Sequence, residues 1–236
     1  MTLHAAFDIG IKNLACCIID TTQWKCFKRG ESEDPGILFW ENLNLMGEPE
    51  KCCQPIKSGK KRGEPCGKAA SWTNGTNYYC GTHKGGEGLK LYRPPQIKNV
   101  NMNHLKKRAF EELDKLEIFK QVSHIVLESQ PKINQKMKMF YASIEAYFII
   151  RYQIDREILK CVKASPAKNK LKLYKGPEID CSHLKKSYDR RKYLAEKQTE
   201  HFLEKCPEML DKFLNHKKRD DLADAFLHCL CSFKSI

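Results

Sequence analysis

Three separate stretches of the sequence place carboxylates where apolar side chains would be expected. Asp8 interrupts the apolar run "AAFDIGIKN" and is closely followed by Gly10. Glu128 ends the apolar run "HIVLE", and Asp221 and Asp224 lie three residues apart in "RDDLADAFLHCL". A buried, unpaired carboxylate is costly, so each of these acids needs a cation or a hydrogen-bonding partner.

Convergence of these acids would create a site for divalent cations. Asp221 and Asp224 would face the same side of a helix, since residues three apart are neighbours there. Oxygen-only ligands suit Mg²⁺ or Mn²⁺. Two such ions about 4 Å apart activate water and stabilise the leaving oxygen of a phosphodiester. The hypothesis is therefore two-metal phosphodiester hydrolysis, with two Mg²⁺ (or Mn²⁺) ions per active site.

Each acid also has a simpler interpretation. Asp8 alone would cap a turn at Gly10, and Glu128 alone would be an exposed residue at a strand end. Asp220, Asp221 and Asp224 would be a solvated acidic first turn that the helix dipole favours. If the acids lie close together in the folded chain, a cation site is favoured; if they do not, the simpler interpretations hold.

A second set of candidate ligands lies in residues 48–98. This segment is rich in Gly, Pro and Lys and poor in aliphatic residues, so it cannot build an apolar core. It contains a Cys-x-x-His pair with cysteines upstream, which is a ligand set for one tetrahedral, structural Zn²⁺ that would supply folding energy. The candidate zinc ligands are Cys52 or Cys53, Cys66, Cys80 and His83. The alternative is free thiols in a loop.

Composition indicates a polyanionic partner. Lys and Arg total 42 against 29 acidic residues, a formal net charge of +13, which favours nucleic acid, although a basic surface that is only solvated is the alternative. The basic runs lie at 57–63, 168–176, 184–192 and 216–221. The candidate nucleic-acid contacts are Lys57, Lys60, Lys61, Arg62, Arg190 and Arg191.

No apolar run is long enough to span a bilayer, so a membrane partner is not expected. The first predicted strand follows Met1 directly, which favours an intracellular location.

The periodicity of apolar residues predicts the elements that position these side chains. The predicted strands are 4–20, 24–30, 36–45, 124–131 and 159–166, the first three forming an antiparallel meander. The predicted helices are 103–119, 137–151, 187–204 and 219–233. This order predicts an α/β architecture with a mixed sheet. We expect one domain from 1–47 and 99–236, with residues 48–98 as an inserted zinc-binding module.

Four motifs, in order, resemble one known family: "FDIGIKNLA", "IVLESQP…MKMFYASIEAYFIIR", "CVKASP" and "DDLADAF". They are similar to the RuvC-type Holliday junction resolvases of the RNase H-like superfamily, most of all to the poxvirus-related branch of large DNA viruses and more distantly to fungal mitochondrial resolvases. The resemblance covers about 1–45 and 100–236. It implies an RNase H-like mixed five-stranded sheet flanked by helices, and a Mg²⁺-dependent endonuclease.

The resemblance also implies roles for particular residues. Asp8, Glu128, Asp221 and Asp224 would be the metal-binding catalytic acids, and Lys192, or else Arg191, the basic residue near the active site. The enzyme would act as a homodimer on branched double-stranded DNA, in recombination and repair. Its location would be a viral replication site in the host cytoplasm or nucleus, or else a mitochondrion.

The insertion resembles short zinc modules of large DNA virus proteins, a likeness that favours Cys52 over Cys53. Other functions stay open at this point. One is an RNase H-like nuclease for flaps or RNA–DNA hybrids, and another is a zinc-stabilised nucleic-acid-binding protein without catalysis. A sugar-kinase or actin-like ATPase would need a second glycine-rich phosphate motif, which we do not find.

Overall fold

The computed structural model describes residues 1–129 and 134–234 of the 236-residue chain. The chain divides into two compact units, one from Met1–Leu45 with Met102–Ile236 and the other from Met46–Asn101. The first unit contains the candidate catalytic acids, and the second contains the candidate zinc ligands.

Eight strands and six α-helices are present in the described residues. The strands are β1 (Leu3–Ile9), β2 (Asn13–Asp20), β3 (Ile37–Asn44), β4 (Trp72–Thr73), β5 (Tyr78–Tyr79), β6 (Lys90–Leu91), β7 (Val122–Glu128) and β8 (Cys161–Ser165). The α-helices are α1 (Thr21–Arg29), α2 (Met102–Asp114), α3 (Gln135–Phe148), α4 (Ser187–Phe202), α5 (Pro207–Leu214) and α6 (Arg219–Lys234). None of the described helices is long and apolar enough to cross a membrane.

A mixed five-stranded sheet forms the centre of the first unit, in the order β3-β2-β1-β7-β8. Strands β1, β2 and β3 form an antiparallel meander, but they are not the three strands predicted for it, 4–20, 24–30 and 36–45. Strand β7 runs parallel to β1, and β8 runs parallel to β7. The predicted α/β class, with an RNase H-like mixed five-stranded sheet flanked by helices, is confirmed.

Alternation along β1 decides which helices its side chains meet. Phe7 points to one face, where its ring packs 5.8 Å from Phe119 and 5.2 Å from Phe148 between ring centroids. Ala6 points to the other face and joins the core cluster that contains Phe226 of α6. Asp8, two residues after Ala6, therefore faces the side of the sheet on which α6 packs.

The single strand predicted over residues 4–20 is wrong, because the chain turns back between β1 and β2. Gly10 N donates a hydrogen bond to the Asn13 carbonyl (2.9 Å) and closes this turn. A Cβ at Gly10 would lie 2.7 Å from that carbonyl oxygen, so the turn needs glycine. The apolar run continues through the turn, which is why periodicity alone joined the two strands.

The strand predicted over residues 24–30 is also wrong, since these residues lie in α1 and its C-cap. The Asp20 side chain accepts a hydrogen bond from Thr22 N and caps the helix start. Gly30 ends the helix with a left-handed φ of 77°. Trp24 and Phe27 lie three residues apart and both are buried, as on one helix face.

The other predicted elements of the first unit are present, with shifted ends. Helix α2 stops at Asp114, and a 3₁₀ turn spans Glu117–Gln121 before β7. Helix α3 continues into a π-helical segment at Ile149–Ile154. Residues 130–131 of the strand predicted over 124–131 lie outside the described residues. The sequence prediction missed α5, which has Pro207 in its first turn.

The second unit contains a small antiparallel sheet in the order β5-β4-β6. Isolated bridges join Lys51 to Ala69 and Pro55 to Pro65. Among this unit's described residues, the buried apolar positions are Cys52, Ala70 and Cys80. So small a core cannot offset the entropy of ordering the chain, which is the reason to expect a metal.

Candidate metal-dependent active site

Two neighbouring parallel strands bring the first two candidate acids together. Phe7 of β1 pairs with Leu127 of β7, so the residues that follow, Asp8 and Glu128, lie side by side near the carboxyl ends of their strands. The carboxyl ends of parallel strands are where open α/β sheets bind ligands. The Glu128 side chain is only 14% exposed.

Helix α6 brings the third acid from the opposite end of the chain. Asp224 is only 17% exposed. One oxygen each from Asp8, Glu128 and Asp224 lie within 4.8 Å of one another. Three carboxylates this close repel one another, and cations are what normally hold such a group together.

Asp221 lines the same cleft, whose volume is about 310 Å³, but it stands outside the three-acid group. Its Oδ2 accepts hydrogen bonds from Asn13 Nδ2 (3.2 Å) and Asn42 Nδ2 (3.1 Å). The structure thus brings three of the four predicted acids into one tight group, and it places the fourth at the same cleft with amide partners.

A buried lysine that sequence analysis did not single out contacts this group. Lys170 Nζ lies 2.7 Å from Asp224 Oδ2 and 3.5 Å from Glu128 Oε2, and its side chain is 7% exposed. Lys170 belongs to the 3₁₀ segment Ala167–Leu173, which follows β8. The sequence analysis assigned it to the basic run 168–176, and only its position just beyond a strand of the parallel part of the sheet could have signalled a different role.

Burial and mutual repulsion set the protonation of the cluster. Burial first, and then the charge of Glu128, raise the pKa of Asp8 well above its usual value. Burial also raises the pKa of Asp224, although Lys170 opposes this. Burial disfavours the Glu128 carboxylate too, but His228 and Lys170 outweigh it and lower the pKa of Glu128 to about 2.

His228 supports Glu128 from inside the protein. It lies on α6 one turn beyond Asp224 and is fully buried. Its Nε2 lies 3.4 Å from Glu128 Oε2. Both ring nitrogens otherwise lack a hydrogen-bond partner among the described residues. The sequence analysis missed His228 because a histidine on an apolar helix face is usually a core residue.

The predicted basic residue, Lys192, also lies at the cleft. It forms an ion pair with Asp220 and lies 5.0 Å from the centre of the Tyr188 ring. Burial disfavours the charge of Lys192, but the ion pair with Asp220 and a hydrogen bond with the Tyr188 side chain outweigh it and raise the pKa of Lys192. Arg191 lines the cleft as well, whereas Arg190, in the first turn of α4, donates a hydrogen bond to the carbonyl of Leu184, which precedes the helix. Lys170, rather than Lys192, contacts the acid group.

The second unit contains a compact group of metal-ligating atoms. Cys52, Cys66, Cys80 and His83 each offer one ligand atom, and these four atoms lie within 4.8 Å of one another. Cys53 is exposed and is not part of the group. The spacing in the sequence allowed either Cys52 or Cys53 as a ligand, and the structure places Cys52 in the group.

The distances within this group fit a tetrahedral zinc ion. Cys66 Sγ lies 3.9 Å from Cys80 Sγ, and Cys52 Sγ lies 3.4 Å from His83 Nδ1. Around a tetrahedral zinc ion with Zn–S bonds of about 2.3 Å and Zn–N bonds of about 2.0 Å, two ligand atoms lie roughly 3.5–3.8 Å apart, which is similar to these distances. Burial disfavours the Cys80 thiolate, but the backbone N–H groups of His83 and Thr82 outweigh it and lower the pKa of Cys80 to about 7.

A basic loop lies between two of these candidate ligands, Cys52 and Cys66. Ile56 N donates to the Glu64 carbonyl and Gly63 N to the Ile56 carbonyl, both at 2.9 Å, and these bonds close the loop at its base. Its exposed basic side chains are Lys57, Lys60, Lys61 and Arg62.

The mixed five-stranded sheet with α6 packed on it is the RNase H-like fold that the sequence motifs imply. The fowlpox virus resolvase, solved in complex with Holliday junction DNA, matches it with a TM-score of 0.51 and 15% identity over 99% of this chain and 98% of that one. The resemblance to poxvirus-type resolvases is confirmed at the level of the fold.

Two further proteins are similar to this chain. The yeast mitochondrial Holliday junction resolvase Ydc2 matches with a TM-score of 0.47 and 15% identity over 97% of this chain and 77% of that one. The uncharacterized protein L451 of Acanthamoeba polyphaga mimivirus is 31% identical over 208 residues, 77% of this chain and 49% of that protein. The chain therefore spans about half the length of this curated relative. No protein-family model matches the chain.

Proposed function

We propose that this protein is a poxvirus-type resolvase, a metal-dependent endonuclease that recognises and cuts four-way DNA junctions. The observation that carries the proposal is the meeting of Asp8, Glu128 and Asp224, with oxygens within 4.8 Å of one another. A solvated acidic surface does not account for carboxylates that are largely buried and face one another. Holding divalent cations accounts for both features.

Asp8, Glu128 and Asp224 would hold Mg²⁺ or Mn²⁺, and Asp221 would supply a further oxygen at the same cleft. When bound, two such ions supply an activated water and charge stabilisation for the leaving oxygen of a phosphodiester. Lys170 offsets the negative charge of the acids and holds Asp224 beside Glu128. Lys192 and Arg191 at the cleft would contact the phosphate of the strand to be cut.

The proposed substrate is branched double-stranded DNA. The fold likeness to a protein solved with Holliday junction DNA supports this choice, and so does the net charge of +13. The described residues of one chain form one acid cluster, so simultaneous cutting of two opposed strands of a junction would use two chains. We therefore propose a homodimer that acts inside the cell where junctions form during viral DNA replication, recombination and repair.

The second unit is proposed to be a zinc-stabilised module that adds DNA affinity. One structural Zn²⁺ would be held by Cys52, Cys66, Cys80 and His83. It would tie together both ends of the loop that carries Lys57, Lys60, Lys61 and Arg62, and these side chains would then contact DNA phosphates. Among the described residues, none of these four side chains takes part in an ion pair, so their charges are available to a polyanion.

The deciding experiment compares synthetic four-way, Y-shaped and RNA–DNA hybrid substrates, each with purified protein and Mg²⁺. Cutting is expected on the four-way junction, in two opposed strands. Asp224→Asn should lower the cutting rate by more than about 100-fold, because it removes a metal-binding charge, while junction binding persists. Asp155→Asn, at an exposed acid beyond α3, is the matched control and should cut normally.

Three results would contradict the proposal. Preferred cutting of Y-shaped or hybrid substrates would indicate a flap or hybrid nuclease with the same chemistry. Binding of junctions without cutting of any substrate would indicate a non-catalytic DNA-binding protein. Normal cutting by Asp224→Asn would show that the acid cluster is not the active site.

A further inference from the structure

The carboxylate of Asp221 is held differently from those of the other three acids. One oxygen each of Asp8, Glu128 and Asp224 lies within 4.8 Å of the other two, whereas the Asp221 Oδ2 accepts two hydrogen bonds from amide groups. The donors are Asn13 Nδ2 at 3.2 Å and Asn42 Nδ2 at 3.1 Å. Neither asparagine belongs to the acid group, and each lies more than a hundred residues away from Asp221 in the chain.

The register of the sheet explains how both amides reach this point. Asp8 on β1 pairs with Ala15 on β2, and Ala15 pairs with Asn42 on β3, so Asp8 and Asn42 lie in one row on the same face. Asn13 lies two residues before Ala15 on β2 and therefore shares that face. This is the face on which α6 packs, and α6 carries Asp221.

Strand β3 also contacts the backbone at the start of α6, in addition to the hydrogen bond from Asn42 to the Asp221 side chain. Trp40, two residues before Asn42, donates a hydrogen bond from its Nε1 to the Leu222 carbonyl at 2.9 Å. The backbone next to Asp221 is thus fixed by Trp40 while the side chain of Asp221 is fixed by the amides. Both donors bind the same oxygen, and no donor among the described residues binds Oδ1 of Asp221, which we expect to face a ligand.

The carbonyl oxygen of the Asn42 side chain indicates that asparagine at this position does not serve stability. Asn42 Oδ1 is buried and has no hydrogen-bond partner among the described residues. A buried amide oxygen without a partner is destabilising. An apolar residue of similar size would avoid that cost but would lose the bond to Asp221.

We propose that Asn13 and Asn42 are positioning residues, which fix the Asp221 carboxylate so that its free oxygen binds a divalent cation at the cleft. The inference rests on the proposed metal-dependent function and assigns a role to two side chains outside the acid group. Partners that orient metal ligands in this way commonly change metal affinity or activity 10- to 100-fold when they are removed.

The test uses Asn42→Leu and Asn13→Ala in the full chain. Mn²⁺ affinity is measured by calorimetry, and cutting rates are measured at increasing Mg²⁺ concentrations. Asn42→Leu should weaken Mn²⁺ binding and raise the Mg²⁺ concentration for half-maximal cutting by about 10-fold or more. Its thermal unfolding midpoint should stay close to that of the wild type, because removal of the unpaired oxygen offsets the lost hydrogen bond to Asp221. Asn13→Ala should shift both metal readouts in the same direction.

Asn215→Ala is the matched control, because it removes an asparagine-to-aspartate hydrogen bond (Asn215 Nδ2 to Asp211 Oδ1, 3.0 Å) at the end of α5. It should leave metal binding and cutting unchanged. Wild-type Mn²⁺ affinity in both site variants would overturn the positioning role, and so would a loss of stability in Asn42→Leu without a change in metal affinity. A wild-type protein that binds Mn²⁺ and cuts no DNA would overturn the nuclease instead, while the Mn²⁺ comparison still decides the role of the asparagines.

Discussion

Lys170 and Asp224 form a largely buried ion pair with 2.7 Å between Nζ and Oδ2. The same ammonium group lies 3.5 Å from Glu128 Oε2, so it links α6 to β7 across the acid cluster. Burial disfavours the charge of Lys170, but Asp224 and Glu128 outweigh it and raise its pKa. A positive charge is thus built into the site beside the carboxylates that would hold metal ions.

We expect Lys170→Met to lower stability in a way that divalent ions reverse. Without the ammonium group, Asp224 and Glu128 lose their nearest cation, and breaking a buried pair costs about 3 kcal/mol. Urea unfolding in EDTA should show this loss, and excess Mg²⁺ should recover much of it, because ions bound at the acids replace the missing charge. Cutting of junctions should also fall.

Lys172→Met is the control for this change, because Lys172 lies in the same 3₁₀ segment and is exposed. It should unfold as the wild type does, with and without Mg²⁺. If Lys170→Met were as stable as the wild type in EDTA, the ion pair would not stabilise the cluster.

The zinc content of two single variants should show which of two adjacent cysteines, Cys52 or Cys53, binds zinc. Purified wild-type protein is expected to contain about one zinc ion per chain, because four ligands complete a tetrahedral site. Cys52→Ser should lose that zinc, since Cys52 Sγ lies in the ligand group, whereas Cys53→Ser should keep it. Elemental analysis of the three proteins, purified in parallel, gives the ratio. Equal zinc in both variants, or none in the wild type, would contradict the assignment.

The central layer of the fold is readable from sequence because its signals are local and strong. Strand β7 is an apolar run bounded by polar residues, β8 is stopped by proline, and α6 has clear helical spacing, so each was predicted close to its true position. The errors came from features that periodicity does not register. One is the tight turn at Gly10, which leaves an apolar run unbroken, and another is the Asp20 cap, which starts α1 where alternation favoured a strand.

The acid cluster was predictable for a different reason from the residues around it. A carboxylate in an apolar run conflicts with its neighbours in the sequence, so Asp8 and Glu128 can be recognised from the sequence alone. Lys170 is one of many lysines in a basic run, and Asn42 lies in a polar stretch of β3, so neither conflicts with its neighbours in sequence. Their roles depend on the sheet register and on the position of α6, which the sequence does not display.

The basic loop of the second unit should contribute DNA affinity without contributing to the chemistry. The triple change Lys60→Ala, Lys61→Ala and Arg62→Ala removes three exposed charges. If each contacts a phosphate, the slope of log affinity against log salt concentration should become shallower by about three, and junction binding should weaken at least tenfold. Fluorescence anisotropy with a labelled four-way junction, at several salt concentrations, measures both quantities.

A control with the same loss of charge distinguishes phosphate contacts from net charge. Lys107, Lys115 and Lys120 form exposed ion pairs with neighbouring glutamates in the first unit. Changing these three to alanine should alter the salt slope less than the loop variant does. Equal effects of the two triple variants would mean that overall charge, rather than this loop, sets the affinity. The single-turnover cutting rate of the loop variant at saturating protein should match that of the wild type.

A buried histidine four residues before Asp8 on β1 should make the stability of the fold sensitive to acid. His4 on β1 is 2% exposed, its ring stacks on His124 at 4.3 Å, and its Nδ1 lies 2.6 Å from Ser232 Oγ. Burial, followed by the positive charges of His124, Lys163 and Lys25, lowers the pKa of His4 from 6.5 to about 4.

Because the pKa of His4 is lowered in the folded chain, the free energy of unfolding should fall as the pH falls. The unfolded chain takes up a proton at His4 below about pH 6.5, and the folded chain does so only near pH 4, so the stability present above pH 6.5 is lost as the pH falls through this window. The loss reaches about 3 kcal/mol. His4→Phe keeps a ring against His124 and removes the titration, so its free energy of unfolding should fall less between pH 7 and 4.5. Exposed His104→Phe should behave as the wild type does, and parallel losses in all three proteins would show that His4 is not the acid-sensitive group.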